Sequence, residues 1–196
     1  MSRGRPKEFD EDEALARALE IFWSNGFAGT AIADLTEGMG IGRQSLYDTF
    51  GDKRGLFLRA LRAYCSQQHG VLSGVLAGPG SPAERLSAFL DLWVEMLTGP
   101  MRQGCMILNS IGEFVGAEDQ EVLDEMHQEM ERMHGLVEAV IRAAIADGSL
   151  DSALDAREVT LTLVATANGL STQARLSDAA DSARAATRTF KRLLGL

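Results

Sequence analysis

Residues 26–57 read GFAGTAIADLTEGMGIGRQSLYDTFGDKRGLF, and the spacing inside this stretch decides the fold. Thr30 is placed to cap a short helix running to about Met39, with Ile32, Leu35 and Met39 turned inward. Gly40-Ile41-Gly42 makes a tight turn, and a second short helix from Arg43 to Phe50 sets Leu46 and Phe50 on one apolar side. Upstream, Asp10 and Glu13 have the form of a capping box. Ala14, Leu15, Ala18, Leu19, Phe22 and Trp23 then recur at helical spacing until Gly26 stops the helix in a left-handed conformation. Downstream, Gly51 or Asp52 opens a further helix through Leu56, Phe57, Ala60, Leu61 and Tyr64. Two short helices joined by a glycine turn, behind a longer one, form a helix-turn-helix.

The chemistry of the second short helix suits double-stranded DNA. Arg43, Gln44 and Tyr47 share its outer face, with Ser45 at the edge. Arginine matches guanine O6/N7 and glutamine matches adenine N6/N7, each pair being worth about 1–3 kcal/mol of discrimination. Tyr47 and Thr30 carry hydroxyls for phosphate, and Lys53 opens the next helix beside the amides of its first turn. Arg3, Arg5 and Lys7 form a positive arm suited to a narrow minor groove, although such a start also serves simply as a solvated leader.

Net charge alone points the other way. The 196 residues carry −9, but residues 1–60 hold 8 basic and 10 acidic side chains against 11 and 18 in 61–196. Local distribution, rather than the total, decides whether a face can meet phosphate. Hydrophobic residues at 45% and charged residues at 24% are ordinary globular usage. Cys65 and Cys105 form no CxxC pair, which excludes a disulfide scaffold and a zinc-finger core. The first residues lack the apolar run of a signal peptide, and the longest uncharged stretch, 63–83, contains two prolines and is no membrane span. A cytoplasmic protein is expected.

The remainder reads as helices: about 83–98 after the Gly78-Pro79-Gly80-Ser81-Pro82 loop, 104–116, 119–146, 155–176 capped by Asp155, and 178–194. Strand signals are absent, so the fold class is all-α. GMGIG at 38–42 lacks the upstream strand of a dinucleotide fold and a Walker lysine. No GxSxG, HExxH or GxxxxGK[ST] motif is present, and no enzyme constellation can be assembled.

The match of Gly26-Phe27, Thr30, Ile32, Asp34-Leu35, Gly40-Ile41, Leu46-Tyr47, Phe50, Asp52-Lys53 and Leu56-Phe57, within 9–61, resembles the DNA-binding domain of the tetracycline-repressor (TetR) type of bacterial regulators. One departure is Gly42, where the family commonly places Ser or Thr as the cap of the recognition helix. The resemblance implies a basic arm at 1–8, a helix-turn-helix domain at 9–54 and a larger helical domain at 55–196 for effector binding and dimerisation. It implies a homodimeric repressor on a palindromic operator, released by an unidentified small molecule, with no cofactor. An activator, a metal- or redox-responsive regulator of the same fold, and a helical interaction bundle are the competing readings.

On that reading the effector would meet Trp93, Met96, Met101, Cys105, Asn109, Glu113, Phe114, Met130 and Asn168, chosen by residue type. The same methionine spacing also fits plain core packing. The dimer would form through Leu163, Ala167, Leu170, Ala174, Phe190 and Leu194, a stripe that equally suits packing within one protomer. His127, Met130 and His134, with Cys105 and Cys65, would suit Cu(I), but histidines on an acidic helix are commonly solvated. Redox sensing by either cysteine has little support from neighbouring basic residues, Arg102 apart.

Overall fold

The computed structural model describes residues 9–99, 104–176 and 180–196. Among them are nine helices and no strand: α1 (Glu11–Asn25), α2 (Ile32–Met39), α3 (Arg43–Phe50), α4 (Lys53–Leu76), α5 (Pro82–Thr98), α6 (Met106–Gly116), α7 (Gln120–Ala146), α8 (Ala156–Leu176) and α9 (Ala180–Leu194). Contacts divide the chain into two compact units between Ser66 and Gln67, inside α4.

In the first unit, the Asp10 carboxylate caps α1 by accepting from the amides of Asp12 and Glu13 at 2.9 and 3.1 Å. The reciprocal half of the expected box is not made, because Glu13 pairs with Arg17 one turn on. Gly26 ends α1 at φ 75°, ψ 174°, so its φ is positive as expected but its ψ is extended, outside the left-handed helical region. The core is aromatic. Phe22, Phe27 and Phe57 meet with centroids 5.3–6.2 Å apart, and Trp23 meets Tyr64 edge-on at 5.1 Å. Leu35, Leu46, Leu56 and Leu61 close it.

The second unit packs α5, α7, α8 and α9 with the end of α4 around Leu72, Leu76, Leu86, Leu90, Val137 and Ile141. Ser81 and Glu84 form a complete capping box before α5, with Pro82 in the first turn, where its missing amide hydrogen is no loss. Asp119 and Asp155 cap α7 and α8. Between α7 and α8, Arg157 donates to Glu131 at 3.0 Å and to Glu138 at 3.4 Å. The Arg157 guanidinium, with smaller help from His134, outweighs the partial desolvation of Glu131 and holds its carboxyl below the usual carboxylate range.

Candidate nucleic-acid interface

The geometry of the interface begins at the turn before α3. Gly40 sits at φ 68°, ψ 29°, a left-handed conformation that a side chain resists; its amide donates to the Glu37 carbonyl and the Ile41 amide to the Thr36 carbonyl, each at 3.2 Å. Ile41 buries itself below the turn, and Gly42 opens α3 in extended conformation without a side-chain cap. Leu46 and Phe50 anchor the inner side of α3, leaving Arg43 and Gln44 exposed and Ser45 and Tyr47 half-buried. Arg43 donates to the Tyr47 hydroxyl at 3.4 Å, with its guanidinium carbon 5.7 Å from the ring centre. Gln44 Nε2 donates to Asp48 Oδ1 at 2.8 Å. Each outer side chain is thus held by the residue one turn on.

The next helix is fixed against the end of α3. Asp52 caps α4 by accepting from the Gly55 amide at 2.7 Å. Lys53 lies with Nζ 4.5 Å from the Phe27 ring centre, a cation–π contact that leaves it at the helix start. Arg59, partly exposed, turns back onto the end of α3: it stacks 4.7 Å from the Phe50 centroid, donates to the Thr49 carbonyl and pairs with Glu11 at 3.5 Å.

Thr30 requires a correction. It is 1% exposed, and its hydroxyl donates to the Gly26 carbonyl at 2.6 Å, closing the loop between α1 and α2. The N-cap of α2 is Ala31, whose amide donates to Asp34 at 2.8 Å. The hydroxyl is committed inside the loop, so Thr30 staples the motif rather than capping α2. Arg3 and Arg5 lie outside the described residues.

In the second unit the sequence-chosen effector residues lie at different depths. Trp93 and Phe114 are buried in packed core, and Met96 is exposed. Cys105, Asn109, Glu113, Met130 and Asn168 are half-buried, the Cys105 amide donating to Ser171 Oγ, and Met101 lies outside the described residues. A cavity of about 270 Å³ opens among Ser73, Leu76, Ala77, Arg85, Leu136, Ala139, Val140 and Ala143. Arg85 donates from Nη1 to the Leu76 carbonyl at 3.3 Å, while its buried Nε meets no hydrogen-bond partner among the described residues.

The stripe expected at a dimer interface is partly committed within the protomer. Leu163, Ala174 and Leu194 belong to the protomer's own core, and Ala167, Leu170 and Phe190 pack against it. Burying those side chains within one chain satisfies the same apolar pattern. Among the described residues, the large apolar side chains that α8 and α9 leave exposed are Leu161 and Leu193, at 44% and 74%. His134 meets Glu131 at 3.1 Å, His127 is exposed, and Cys65 is buried. Among the described residues no group of three or more His, Cys, Asp or Glu is placed to hold a metal ion, and no helix is long and apolar enough to cross a membrane.

Comparison with known proteins adds an independent observation. Residues 14–60 match the family described as "Bacterial regulatory proteins, tetR family", and residues 82–190 match "Tetracyclin repressor-like, C-terminal domain". The chain belongs to the TetR family. Among curated relatives of this TetR-family regulator, the HTH-type transcriptional regulator YezE of Bacillus subtilis is 37% identical over 142 residues, 69% of this chain and 73% of that one. The HTH-type transcriptional repressor ComR of Escherichia coli is 48% identical over 63 residues, covering 32% of this chain and 30% of its own. Among solved structures, a cysteine-substituted variant of the TetR-family regulator CifR, complexed with 26-base-pair operator DNA, superposes at TM-score 0.84 with 33% identity. That match covers 97% of this chain and all of the other.

The sequence reading of this TetR-family chain missed Asp48 and Gly55. Asp48 was legible as the residue four beyond Gln44. Gly55 had no signal, since its importance lies in a contact with the preceding helix.

Proposed function

We propose that this chain is a homodimeric repressor that reads a palindromic operator through Arg43 and Gln44 and is released by a small-molecule effector bound in the second unit. The observation that carries the reading is the exposure of an arginine and a glutamine on the first turn of a helix whose opposite side is sealed by Leu46 and Phe50. Tyr47, Ser45 and Lys53 sit at its margin, where phosphate contacts fix register rather than sequence. That relatives include a repressor and a regulator held on operator DNA supports the same role here. Action on operator DNA implies a cytoplasmic setting.

Leu161 and Leu193 support dimerisation, because large apolar side chains on adjacent helices gain from burial against a second copy. Twofold symmetry would place two α3 helices on half-sites about one helical turn apart. The cavity beside Arg85 supports an effector site of modest size. An effector favouring a different spacing of the recognition helices needs a coupling of only about 1–3 kcal/mol to lower operator affinity.

The test is to sequence genomic fragments captured by the purified protein at near-physiological salt. One enriched palindrome is the expected result. Capture with no shared motif would leave only phosphate attraction and overturn the operator reading. Gln44→Ala should then weaken the enriched motif more than random DNA; equal losses on both would remove Gln44 from base reading.

A further inference from the structure

We infer that Asp48 is a positioning residue that makes Gln44 prefer adenine over guanine. The inference rests on the reading of Gln44 as a base-contacting residue. A glutamine amide offers two hydrogens and an oxygen, and a free one can present either edge. Adenine shows the major groove one acceptor, N7, and one donor, N6; guanine shows two acceptors, N7 and O6. An unrestrained glutamine can therefore serve adenine with one hydrogen and its oxygen, or guanine with both hydrogens.

Asp48 removes the second option. Its ionised carboxylate only accepts, so the end of the amide facing it must be Nε2, and the 2.8 Å bond consumes one of the two hydrogens. What remains of Gln44 is one donor and one acceptor, the complement of adenine. The carboxylate is itself exposed on the same face of α3, where it opposes the paired acceptors of guanine. The bond also orders a flexible side chain before DNA arrives, a saving of the kind that preorganisation supplies. Arg43, held by Tyr47 on the neighbouring position, commits one of its five donors to that hydroxyl and keeps enough of the others to remain suited to guanine.

The experiment measures binding of the full chain to its selected operator and to operators carrying each base at every half-site position. The variants are Asp48→Ala, Asp48→Asn, Gln44→Ala and the double Gln44→Ala/Asp48→Ala. Ratios between operators cancel any uniform gain from removing a negative charge near phosphate. The wild-type chain should favour adenine over guanine at one position by about tenfold, within what a bidentate pair supplies. Asp48→Ala should reduce that ratio to about twofold, as both amide hydrogens become available. Asp48→Asn, whose carbonyl can still accept from Nε2, should keep most of it, and the double variant should match Gln44→Ala.

Three outcomes would overturn the inference, and they differ. If Gln44→Ala leaves the preference unchanged, the underlying base-reading assignment fails and takes this one with it. If Gln44→Ala abolishes the preference but Asp48→Ala does not, the positioning role alone fails. If Asp48→Asn behaves as Asp48→Ala does, or the change falls at another base pair, Asp48 acts by charge or by its own base contact rather than through Gln44.

Discussion

At the scale of single residues, Gly42 and Lys53 show how much of the interface depends on one atom group. Gly42 lies at φ −71°, ψ 154°, a conformation open to any residue, and a Cβ there would meet nothing nearer than Ser45 Oγ at 4.0 Å. Gly42→Ser should therefore restore a side-chain cap and raise stability by a few tenths of a kcal/mol, or about 1 °C in melting temperature. A fall in melting temperature would show that the turn is tighter than its geometry indicates. Lys53→Ala should weaken binding to operator and random DNA alike and reduce the log–log salt slope by about one, measured by titration at several salt concentrations. Arg43 and Gln44 were legible because exposure follows from the positions of Leu46 and Phe50. Thr30 was misread because a threonine before a helix suits both a cap and a loop staple, and only its burial separates the two.

At the scale of elements, two glycines on α4 look alike in the sequence and behave oppositely in the structure. A Cβ on Gly55 would lie 2.5 Å from the Phe50 carbonyl oxygen, an overlap with backbone that no side-chain rotation relieves. Gly55→Ala must push the start of α4 away from the end of α3, at a cost of about 1–3 kcal/mol. Loss of stability should be accompanied by loss of operator affinity, since Lys53 moves with the helix. Gly70 is exposed and a Cβ there meets nothing within 4 Å. Gly70→Ala should stabilise by about 0.5–1 kcal/mol through helix propensity, read from urea unfolding. The boundaries of α3 followed from its caps and apolar pair. The continuation of α4 past Tyr64 did not, because Ser66, Gln67, Gln68, His69, Gly70 and Gly74 mask the weaker repeat of Leu72 and Leu76.

At the scale of the whole molecule, the sequence carried the division of labour better than it carried the second unit's interior. Core and interface stripes have the same composition, so Leu163 and Leu161 differ only in which way the helix is rotated, a property set by α5 and α7. Replacing both Leu161 and Leu193 by Glu should shift the protein from dimer to monomer in sedimentation velocity. A variant that stays dimeric would place the interface elsewhere. Acid should also loosen the pairing of α7 with α8. Arg157, with smaller help from His134, depresses Glu131 below its ordinary 4.5, so this contribution is present above about pH 4.5 and is lost as pH falls through the lowered value. Glu131→Gln should flatten that part of the pH dependence of unfolding, most visibly at low salt, where exposed ion pairs are least screened.

The boundary between the two units falls within a helix, not in a loop. A protease needs several residues of unwound chain to enter its cleft, and a hydrogen-bonded helix withholds them. Mild digestion should not release two intact halves from this protein as it does from chains joined by a linker. The first cut expected near the boundary would instead follow fraying around Gly70 and Gly74, and its rate would record how often α4 opens.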